Sequence, residues 1–469
     1  MATLAASAAL LAACASLPGE ASKPQPKALA SYAAEKSLAA PAADWPSDRW
    51  WDAYGDAQLS SLIGEALKGS PTLAQAEARL MAAGAATQQS RAATLPSLGG
   101  SGQVGLTEQS RVEGFPPFIQ ELLPKGYLGT GRLALDASYD LDLFGKNRAA
   151  LAAAVSEEAA TRADLAEARL TLSTAVAGAY ADLARLGAER DAAAEALRNR
   201  QDTSRLTAER VTNGLDTRAE LKQAEAATPA SQADVEALDE QILLTRHRLA
   251  ALLGEGPDRG LDVAMPRPEA VKAFGLPADL RLHLIGRRPD IVAARLRAQA
   301  AAKRIDIARA QFFPDVSLTG YIGQQSLGLS QLLNPAAAIG QIGPTVTLPI
   351  FEGGRLRGQL RGAHADYDAA VEAYDATLTQ ALQDVADAAA SVQSAQRQLA
   401  DRRAALSAGE QAYAVARKRY QGGLSSYVAV LTAEDALIGE RRAFADAQTR
   451  AFSLDITLVR ALGGGYAAS

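Results

Sequence analysis

The chain is built from two halves that follow the same plan, and this internal repeat constrains its fold more than any other feature. The same proline spacing of 25 residues occurs in both halves, at Pro71 and Pro96 and again at Pro289 and Pro314. Further along, residues 209–215 (ERVTNGL) parallel residues 418–424 (KRYQGGL). The matched positions are offset by 207 to 218 residues, so the halves share one plan with small differences in loop length.

This repeat predicts a division of the chain into segments. Residues 56–254 form the first expected structural repeat and residues 281–469 the second, each with a helix, two strands and a long helical hairpin. A stretch rich in Pro and Gly, residues 255–280, is expected to link them.

Each repeat contains a long run with helical spacing of apolar residues and no proline, from about Arg148 to Arg210 and from Arg355 to Tyr420. At 1.5 Å per residue, such runs predict helices roughly 95 Å long. The chain has only 5 % aromatic residues and is rich in alanine, which favours helices whose backbones pack closely.

A glycine turn and a shorter returning helix, at 216–253 or 426–462, follow each long run. The sequence therefore predicts two long helical hairpins. Their turns lie at Gly214-Leu215 and Gly423-Leu424, where glycine supplies the left-handed conformation that ends a helix.

Four segments show the alternation of a β-strand: 132–143, 314–323, 341–350 and, more weakly, 97–107. In the first, Leu133, Leu135, Tyr139 and Leu141 are expected to face lipid. A half-buried strand of a soluble protein gives the same alternation. As membrane strands, four are too few to close a barrel, and an open sheet edge is not viable in lipid. Two copies would give about eight strands, and three about twelve, enough to leave a passage.

The N-terminal residues resemble a lipoprotein leader. Residues 1–13 are uncharged and mostly apolar or small, as in a signal peptide, although no Lys or Arg precedes the apolar run. The sequence Leu-Ala-Ala-Cys ends at Cys14, the only cysteine, and resembles a lipobox whose cysteine thiolate accepts lipid. Residues 14–55 are then expected to form a lipidated tether and a tryptophan anchor, in which Trp45, Trp50 and Trp51 pack with Tyr54. A ligand-stacking role for these tryptophans has no support in the sequence.

Composition argues against several classes of function. The formal net charge is −5, which gives no electrostatic case for nucleic acid. One cysteine and three well-separated histidines offer no ligand pair for a metal, and none is expected. No phosphate loop or nucleophile elbow is present, so we expect neither an enzyme nor a cofactor.

Five motifs in order resemble the outer membrane efflux protein family, and in particular the TolC-like outer membrane factors of the NodT-type lipoprotein branch. They are WWDAYGD at 50–56, YDLDLFGK at 139–146, GRRPDI at 286–291, AQFFP at 310–314 and PIFEGG at 349–354. The resemblance implies a mainly α fold with transmembrane β-structure. In that fold, long helical hairpins form a periplasmic α-barrel, and four strands per protomer form a trimeric 12-stranded outer-membrane β-barrel.

The same resemblance implies a passive exit duct of a tripartite efflux system, anchored in and spanning the outer membrane and extending into the periplasm. Its expected partners are two further copies of the chain, outer-membrane lipid, a periplasmic adaptor, and an inner-membrane pump of the resistance-nodulation-division type. The adaptor is expected to dock at the hairpin turns, Gly214, Leu215, Gly423 and Leu424.

In relatives, aspartates near the turns narrow the periplasmic aperture and bind cations. The matching positions here are Ala429 and Thr432, so an aspartate ring is not expected. Glu220 occupies the corresponding place in the first repeat, and Tyr420 matches a tyrosine that joins a closing polar network. An ordinary solvated helix face is the alternative for Glu220 and Tyr420.

Two alternative functions remain open from the sequence. An outer component of type I protein secretion would share this fold, and a periplasmic coiled-coil adaptor or scaffold lipoprotein would share the helical hairpins. The alternating strands and the duplication favour the channel over the scaffold, whereas the sequence leaves the exported substrate undetermined.

Overall fold

The structure is a computed structural model that describes residues 25–28, 31–108, 110, 116–120, 122, 125–266, 275–277 and 280–467. The chain divides into two compact units. The first contains residues 1–25, 80–161 and 295–373, and the second contains residues 26–79, 162–294 and 374–469. Cys14 lies outside the described residues.

Ten α-helices and four strands follow one another along the described residues. The helices are α1 (Ala57–Gly69), α2 (Pro71–Ala92), α3 (Pro117–Gln120), α4 (Lys146–Thr212), α5 (Arg218–Leu253), α6 (Pro257–Leu261), α7 (Leu280–Arg287), α8 (Pro289–Ala310), α9 (Arg355–Gln421) and α10 (Tyr427–Ala461). The strands are β1 (Ser97–Glu108), β2 (Tyr127–Asp140), β3 (Asp315–Leu327) and β4 (Ala338–Thr347). None of the described helices is both long and apolar enough to cross a membrane.

The two long helices expected from the repeat are present, since α4 and α9 each have 67 residues. Their returning partners are α5, with 36 residues, and α10, with 35. The first hairpin has one irregularity, because α5 contains Pro229 in its interior and therefore lacks one backbone donor there.

The four strands form one antiparallel sheet in the order β1-β2-β3-β4 in the first unit. The register separates two faces, because Leu135 lies opposite Gly100 and Ile322, whereas Asp136 lies opposite Gly99 and Tyr321. The apolar face carries Leu98, Val104, Leu106, Leu133, Leu135, Tyr139, Leu318, Ile322, Ile342 and Val346. The polar face carries Ser101, Gln103, Arg132, Asp136, Thr319, Tyr321, Gln325, Gln341 and Thr345.

The strand boundaries differ from the sequence prediction. The strand expected at 132–143 runs instead from Tyr127 to Asp140, because Asp142 adopts a positive φ of 44° and turns the chain into α4. The Asp142 carboxylate accepts hydrogen bonds from the backbone N–H groups of Asn147 and Arg148, both at 2.9 Å. Leu141, expected to face lipid, therefore follows the strand rather than lying within it. The strand expected at 341–350 ends at Thr347.

Small side chains fill much of the core of the second unit. Trp50 and Trp51 are buried with Leu59 and with alanines of α4, including Ala177 and Ala181. The Tyr54 hydroxyl donates to Asp455 Oδ2 at 2.5 Å, and its ring packs edge-on against Phe452. Trp45, expected in the same group, belongs to a different cluster, where Arg287 lies over its ring at 5.4 Å.

The later part of the expected tether is packed against the body. Tyr32, Leu38 and Trp45 contact the cluster that contains Leu276, and Ala42 forms a parallel bridge with Leu276. The Lys27 N–H donates to the buried carboxylate of Asp375 at 3.2 Å. These residues of the predicted tether therefore bury their apolar side chains within the second unit.

Part of the expected linker at 255–280 packs within the second unit. It contains α6, and Val263 beyond it is buried. Arg259 of α6 binds the carboxylate of Glu65 with two hydrogen bonds, at 3.0 and 2.8 Å. This bidentate pair attaches the segment to α1.

Candidate functional site at the hairpin turns

Both hairpins turn through the same backbone motif in the second unit. Gly214 and Gly423 have φ values of 74° and 71°, in the left-handed region that glycine tolerates. The next residue then bonds back over five positions: Leu215 N–H reaches the carbonyl of Arg210 at 2.9 Å, and Leu424 N–H reaches that of Arg419 at 2.8 Å. These bonds satisfy the last carbonyls of α4 and α9.

A buried polar network joins the two hairpins just above the turns. The Tyr420 hydroxyl of α9 donates to the Asp216 carboxylate and lies 3.2 Å from Thr207 Oγ1. Arg210 binds the same carboxylate through Nε at 2.9 Å and donates from Nη1 to the Tyr420 carbonyl at 2.9 Å. Its guanidinium also lies over the Tyr420 ring, 4.5 Å from the centroid.

The network is shielded from solvent. Tyr420 is fully buried, and the side chains of Arg210 and Asp216 are only 11 % and 7 % exposed. Burial and the hydrogen bond to Asp216 raise the pKa of Tyr420 to about 12, so the phenol stays protonated and keeps donating. Charge-assisted bonds in such surroundings are stronger than those at a surface.

Glu220 is part of the N-terminal cap of α5. Its Oε2 accepts from the Thr217 N–H at 2.8 Å and from the Thr217 hydroxyl at 3.0 Å, while its own N–H donates to Thr217 Oγ1 at 3.3 Å. This reciprocal arrangement is a capping box. The Glu220 carboxylate thus has a structural partner that the sequence analysis did not assign.

Ala429 holds the matching position in the second hairpin, three residues after the N-cap Ser426 of α10. Ser426 makes no side-chain cap bond there. Ala429 and Thr432 both lie on the exposed side of α10, and the Thr432 hydroxyl donates to the Val428 carbonyl at 2.9 Å.

Apolar side chains surround the turns on the solvent side. Leu215 and Leu424 are 63 % and 73 % exposed. A shallow groove of about 540 Å³ runs beside the second turn, lined by Gln411, Ala412, Val415, Ala416, Arg419, Ser425 and Ala429. Its walls are mostly apolar, which suits a partner helix better than a charged ligand.

A second buried ion cluster lies further from the turns and joins α4 of the first hairpin to α10 of the second. Arg200 of α4 binds Glu434 Oε2 of α10 at 3.3 Å and also pairs with Asp435. Glu434 is fully buried, and burial raises its pKa to about 7 although Arg200 opposes the shift. Among the described residues, no group donates a hydrogen bond to Glu434 Oε1.

The structure brings some predicted site residues together and leaves others apart. Tyr420 lies in the network, whereas Glu220, Ala429 and Thr432 are outside it. Sequence reasoning missed Asp216, Arg210 and the Arg200–Glu434 pair, since each depends on contacts across the fold. The Thr-x-x-Glu pattern at 217–220 could have revealed the capping box. No cluster of potential metal ligands occurs among the residues that the structure describes.

A protein-family model described as "Outer membrane efflux protein" matches residues 62–255 and 282–464. These two matched segments coincide closely with the two repeats. They therefore agree with the resemblance that the motifs indicate.

Named relatives and a solved structure agree with this match. The fusaric acid resistance protein FusA of Burkholderia cepacia is 35 % identical over 372 residues, covering 76 % of this chain and 67 % of that protein. The multidrug resistance outer membrane protein MdtP of Escherichia coli K12 is 31 % identical over 443 residues, covering 90 % and 88 %. The crystal structure of the outer membrane protein VceC of Vibrio cholerae superposes with a TM-score of 0.84 and 43 % identity, covering 90 % of this chain and 100 % of that one.

Proposed function

This chain belongs to the outer membrane efflux protein family, and we propose that its two hairpin turns form the closed periplasmic end of its channel. The protein is the outer-membrane channel component of a tripartite efflux system and extends into the periplasm. Other relatives are named as outer membrane proteins of efflux pumps, and the strands and hairpins of this chain have the outer-membrane channel fold. The Tyr420–Asp216 contact between the hairpins is the observation that carries the proposal.

The closed end requires several copies, and we take the assembly to be a homotrimer. One chain supplies four strands with an unpaired edge at β1 and another at β4, and such edges are not viable in lipid. Three chains supply about twelve strands, enough for a barrel with an open lumen. Six hairpins would then meet around the axis, and each Tyr420 network would hold two of them together.

The aperture differs from an acidic filter, since Ala429 and Thr432 stand at the positions expected to carry acids. The Glu220 carboxylate is held by Thr217. We therefore expect divalent cations to block the channel only weakly from the periplasmic side, because Ala429 and Thr432 supply no carboxylates to attract them.

Single-channel recording in a planar bilayer tests the expectation of weak divalent block. Adding millimolar Mg²⁺ on the periplasmic side should reduce the wild-type current modestly, and Ala429→Asp with Thr432→Asp should strengthen the block at least several-fold. The matched control is Glu440→Asp on the same helix, which adds no charge. Tight block of the wild type that the double substitution leaves unchanged would place the aperture on other residues.

The exposed leucines at the turns are the proposed docking points of a periplasmic adaptor. Leu215 and Leu424 follow the turn glycines, and the groove beside Ala429 continues this apolar surface. Leu424→Asp should abolish co-purification of the adaptor encoded with the system, since a carboxylate at a desolvated contact is costly. Leu244→Asp, at an exposed leucine within α5, should leave co-purification intact. Equal recovery of adaptor with both variants would refute docking at the turn.

The adaptor would connect the channel to an inner-membrane pump, which we take to be of the resistance-nodulation-division type. Small toxic molecules are the proposed cargo, because the relatives are named for fusaric acid and multidrug resistance. Deleting the gene should lower resistance to such compounds and leave protein secretion unchanged. The reverse result would favour a type I secretion role.

Cys14 is the proposed lipid attachment site, supported by its place after an apolar leader. Cys14→Ser should abolish incorporation of a labelled fatty acid, while the strands still hold the protein in the membrane. Undiminished labelling of this variant would refute lipidation at Cys14.

A further inference from the structure

The loop between β3 and β4 in the first unit is unusual for one that joins two membrane strands. Residues 328–337 contain three leucines and no charged residue. Leu329 and Leu333 are 49 % and 78 % exposed. Exposed leucines grouped on one short segment are typical of a surface that contacts an apolar partner or a membrane.

The loop folds back onto one face of the sheet. Leu329 and Leu332 lie over Gly129 and Gly131 of β2, and a Cβ at Gly131 would come within 2.9 Å of Leu332 Cδ2. Gly131 shares its face with Leu133 and Leu135, since side chains two residues apart along a strand point the same way. The loop therefore covers the end of the apolar face and lies away from the polar face.

The apolar face is the one that meets lipid, because the outer surface of a membrane barrel is apolar and its lumen is polar. Tyr127 and Tyr139 lie on this face at opposite ends of β2. With a rise of about 3.3 Å per residue and a strand tilt of about 40°, they are separated by roughly 30 Å across the membrane. Leu329 packs beside Gly129, two positions from Tyr127, and so lies at the membrane boundary.

This end of the sheet faces the cell exterior. The other ends of the strands connect to α2, α4, α8 and α9, which belong to the periplasmic part of the family fold. The β3–β4 loop therefore lies at the level of the outer leaflet.

The backbone of the loop is suited to a non-aqueous setting. Gly328 N–H donates to the Gly129 carbonyl, and Gln331 and Leu332 N–H groups donate to the carbonyls of Gly328 and Leu329. The side-chain oxygen Oδ1 of Asn334 accepts a hydrogen bond from the Ala336 N–H at 3.0 Å. The Ala337 N–H donates to the Asn334 backbone carbonyl at 2.8 Å. Most of its backbone N–H donors are thus satisfied internally, which lowers the cost of placing the loop against hydrocarbon.

We propose that residues 328–337 form a lipid-facing clasp: Leu329 and Leu332 hold the loop against Gly129 and Gly131, and Leu333 enters the acyl chains of the outer leaflet. The contact surface is continuous with the lipid face of the strands, and its partner is membrane hydrocarbon. Held outward in this way, the loop itself does not cover the exit of the channel.

Tryptophan fluorescence in vesicles of brominated phosphatidylcholine tests the proposal, because bromine on acyl chains quenches only lipid-exposed indoles. The full-length Leu333→Trp protein is measured against the wild type, whose own tryptophans provide the baseline. Its added emission should fall at least twofold in brominated lipid, as should that of Leu135→Trp on the apolar face. Gln341→Trp on the polar face should instead be quenched by aqueous iodide.

A second substitution tests the glycine seat. Gly131→Ala in the Leu333→Trp background should remove at least half of the lipid quenching, because Leu332 must move to make room for the new methyl group. Gly105→Ala is the matched control, since its Cβ would point to the polar face and meet Thr130 Oγ1 at an ordinary 3.6 Å. Quenching that is unaffected by Gly131→Ala would refute the seat.

Two further outcomes would contradict the clasp. Quenching of Leu333→Trp by iodide alone would place the loop over the aqueous exit. Protection from both quenchers would place it against a neighbouring copy. Either result overturns the clasp, whereas failure of Leu135→Trp to respond to lipid would overturn the assignment of the sheet faces themselves.

Discussion

The Tyr420 hydroxyl donates a hydrogen bond to the Asp216 carboxylate, and the two residues belong to different hairpins of the chain. Arg210 neutralises the same carboxylate from the first hairpin at 2.9 Å. The contact therefore requires the two hairpins to stay together. Separating them would remove the Tyr420 hydrogen bond from the buried Asp216 carboxylate.

Tyr420→Phe removes the donor without changing the packing. A hydrogen bond to a charged group contributes about 1.5–3 kcal/mol, so each copy should lose roughly that much of the free energy that holds its hairpins closed. We expect a larger single-channel conductance in a planar bilayer. Tyr413→Phe is the control: Tyr413 lies on the same helix and is also buried, but its hydroxyl makes none of these bonds. Equal conductance of the two variants would exclude the network as the closing contact.

Stability should depend on pH through Glu434, whose pKa is raised by burial from 4.5 to about 7. Between these values the folded protein binds a proton that the unfolded chain releases, so stability is greatest below the lower value and falls as the pH rises through 7. Arg200, Arg417, Asp435 and Tyr413 surround the carboxylate and modulate the effect.

Glu434→Gln removes this titration. Relative to wild type, the variant should gain about 2–3 kcal/mol per copy between pH 5 and pH 8, since one pKa unit corresponds to about 1.4 kcal/mol. Thermal unfolding of the detergent-solubilised protein at the two pH values measures the difference. Glu440→Gln, at a more exposed carboxylate of the same helix, should show no such gain. A parallel response of both variants would contradict the assignment.

Two substitutions at Glu220 separate its capping role from its charge. Glutamine can still close a capping box, whereas alanine cannot, and loss of a cap costs about 0.5–2 kcal/mol. Amide hydrogen exchange in the first turn of α5 should therefore accelerate in Glu220→Ala and stay close to wild type in Glu220→Gln. The modest divalent block should weaken in both variants. If Glu220→Gln keeps the full block, the Glu220 charge has no part in the aperture.

The two faces of the sheet predict opposite tolerance to charge. Leu135 is 54 % exposed on the apolar face, whereas Asp136 on the polar face accepts from Ser101 Oγ at 2.6 Å. Arginine on a lipid face costs about 2–4 kcal/mol near the bilayer centre. Leu135→Arg should strongly reduce the oligomer band of unheated outer-membrane samples, and Asp136→Asn should reduce it little. Similar losses from both changes would argue against this assignment of the faces.

The helical hairpins were predictable from the sequence because their signals are local. The absence of proline in the long helices and the glycines at 214 and 423 marked the ends of α4 and α9 to within two residues. The strand ends were harder to predict from the sequence. The alternation of apolar and polar residues continues through Leu143, although the backbone has already turned at Asp142. Periodicity reports side-chain pattern, whereas the turn depends on the Asp142 carboxylate reaching Asn147 and Arg148.

The contacts that close the site lay beyond sequence reasoning because they join distant segments. Asp216 and Tyr420 are 204 residues apart, and Arg200 and Glu434 are 234 apart. The packing of residues 31–46 also depends on a distant residue, since its partner Leu276 lies in the segment that links the two repeats. Tyr420 itself could be named only through the family resemblance.

Pro229 gives the two hairpins different mechanical properties. It leaves the Glu225 carbonyl without its helical donor about three turns into α5, and α10 contains no proline. We expect bending to concentrate there, so each chain contributes one compliant hairpin and one stiff one. In a ring of three chains the compliant and stiff hairpins alternate. The six hairpins are arranged with nearly sixfold symmetry, but only the three that contain Pro229 would bend easily. The duct would therefore widen with threefold symmetry.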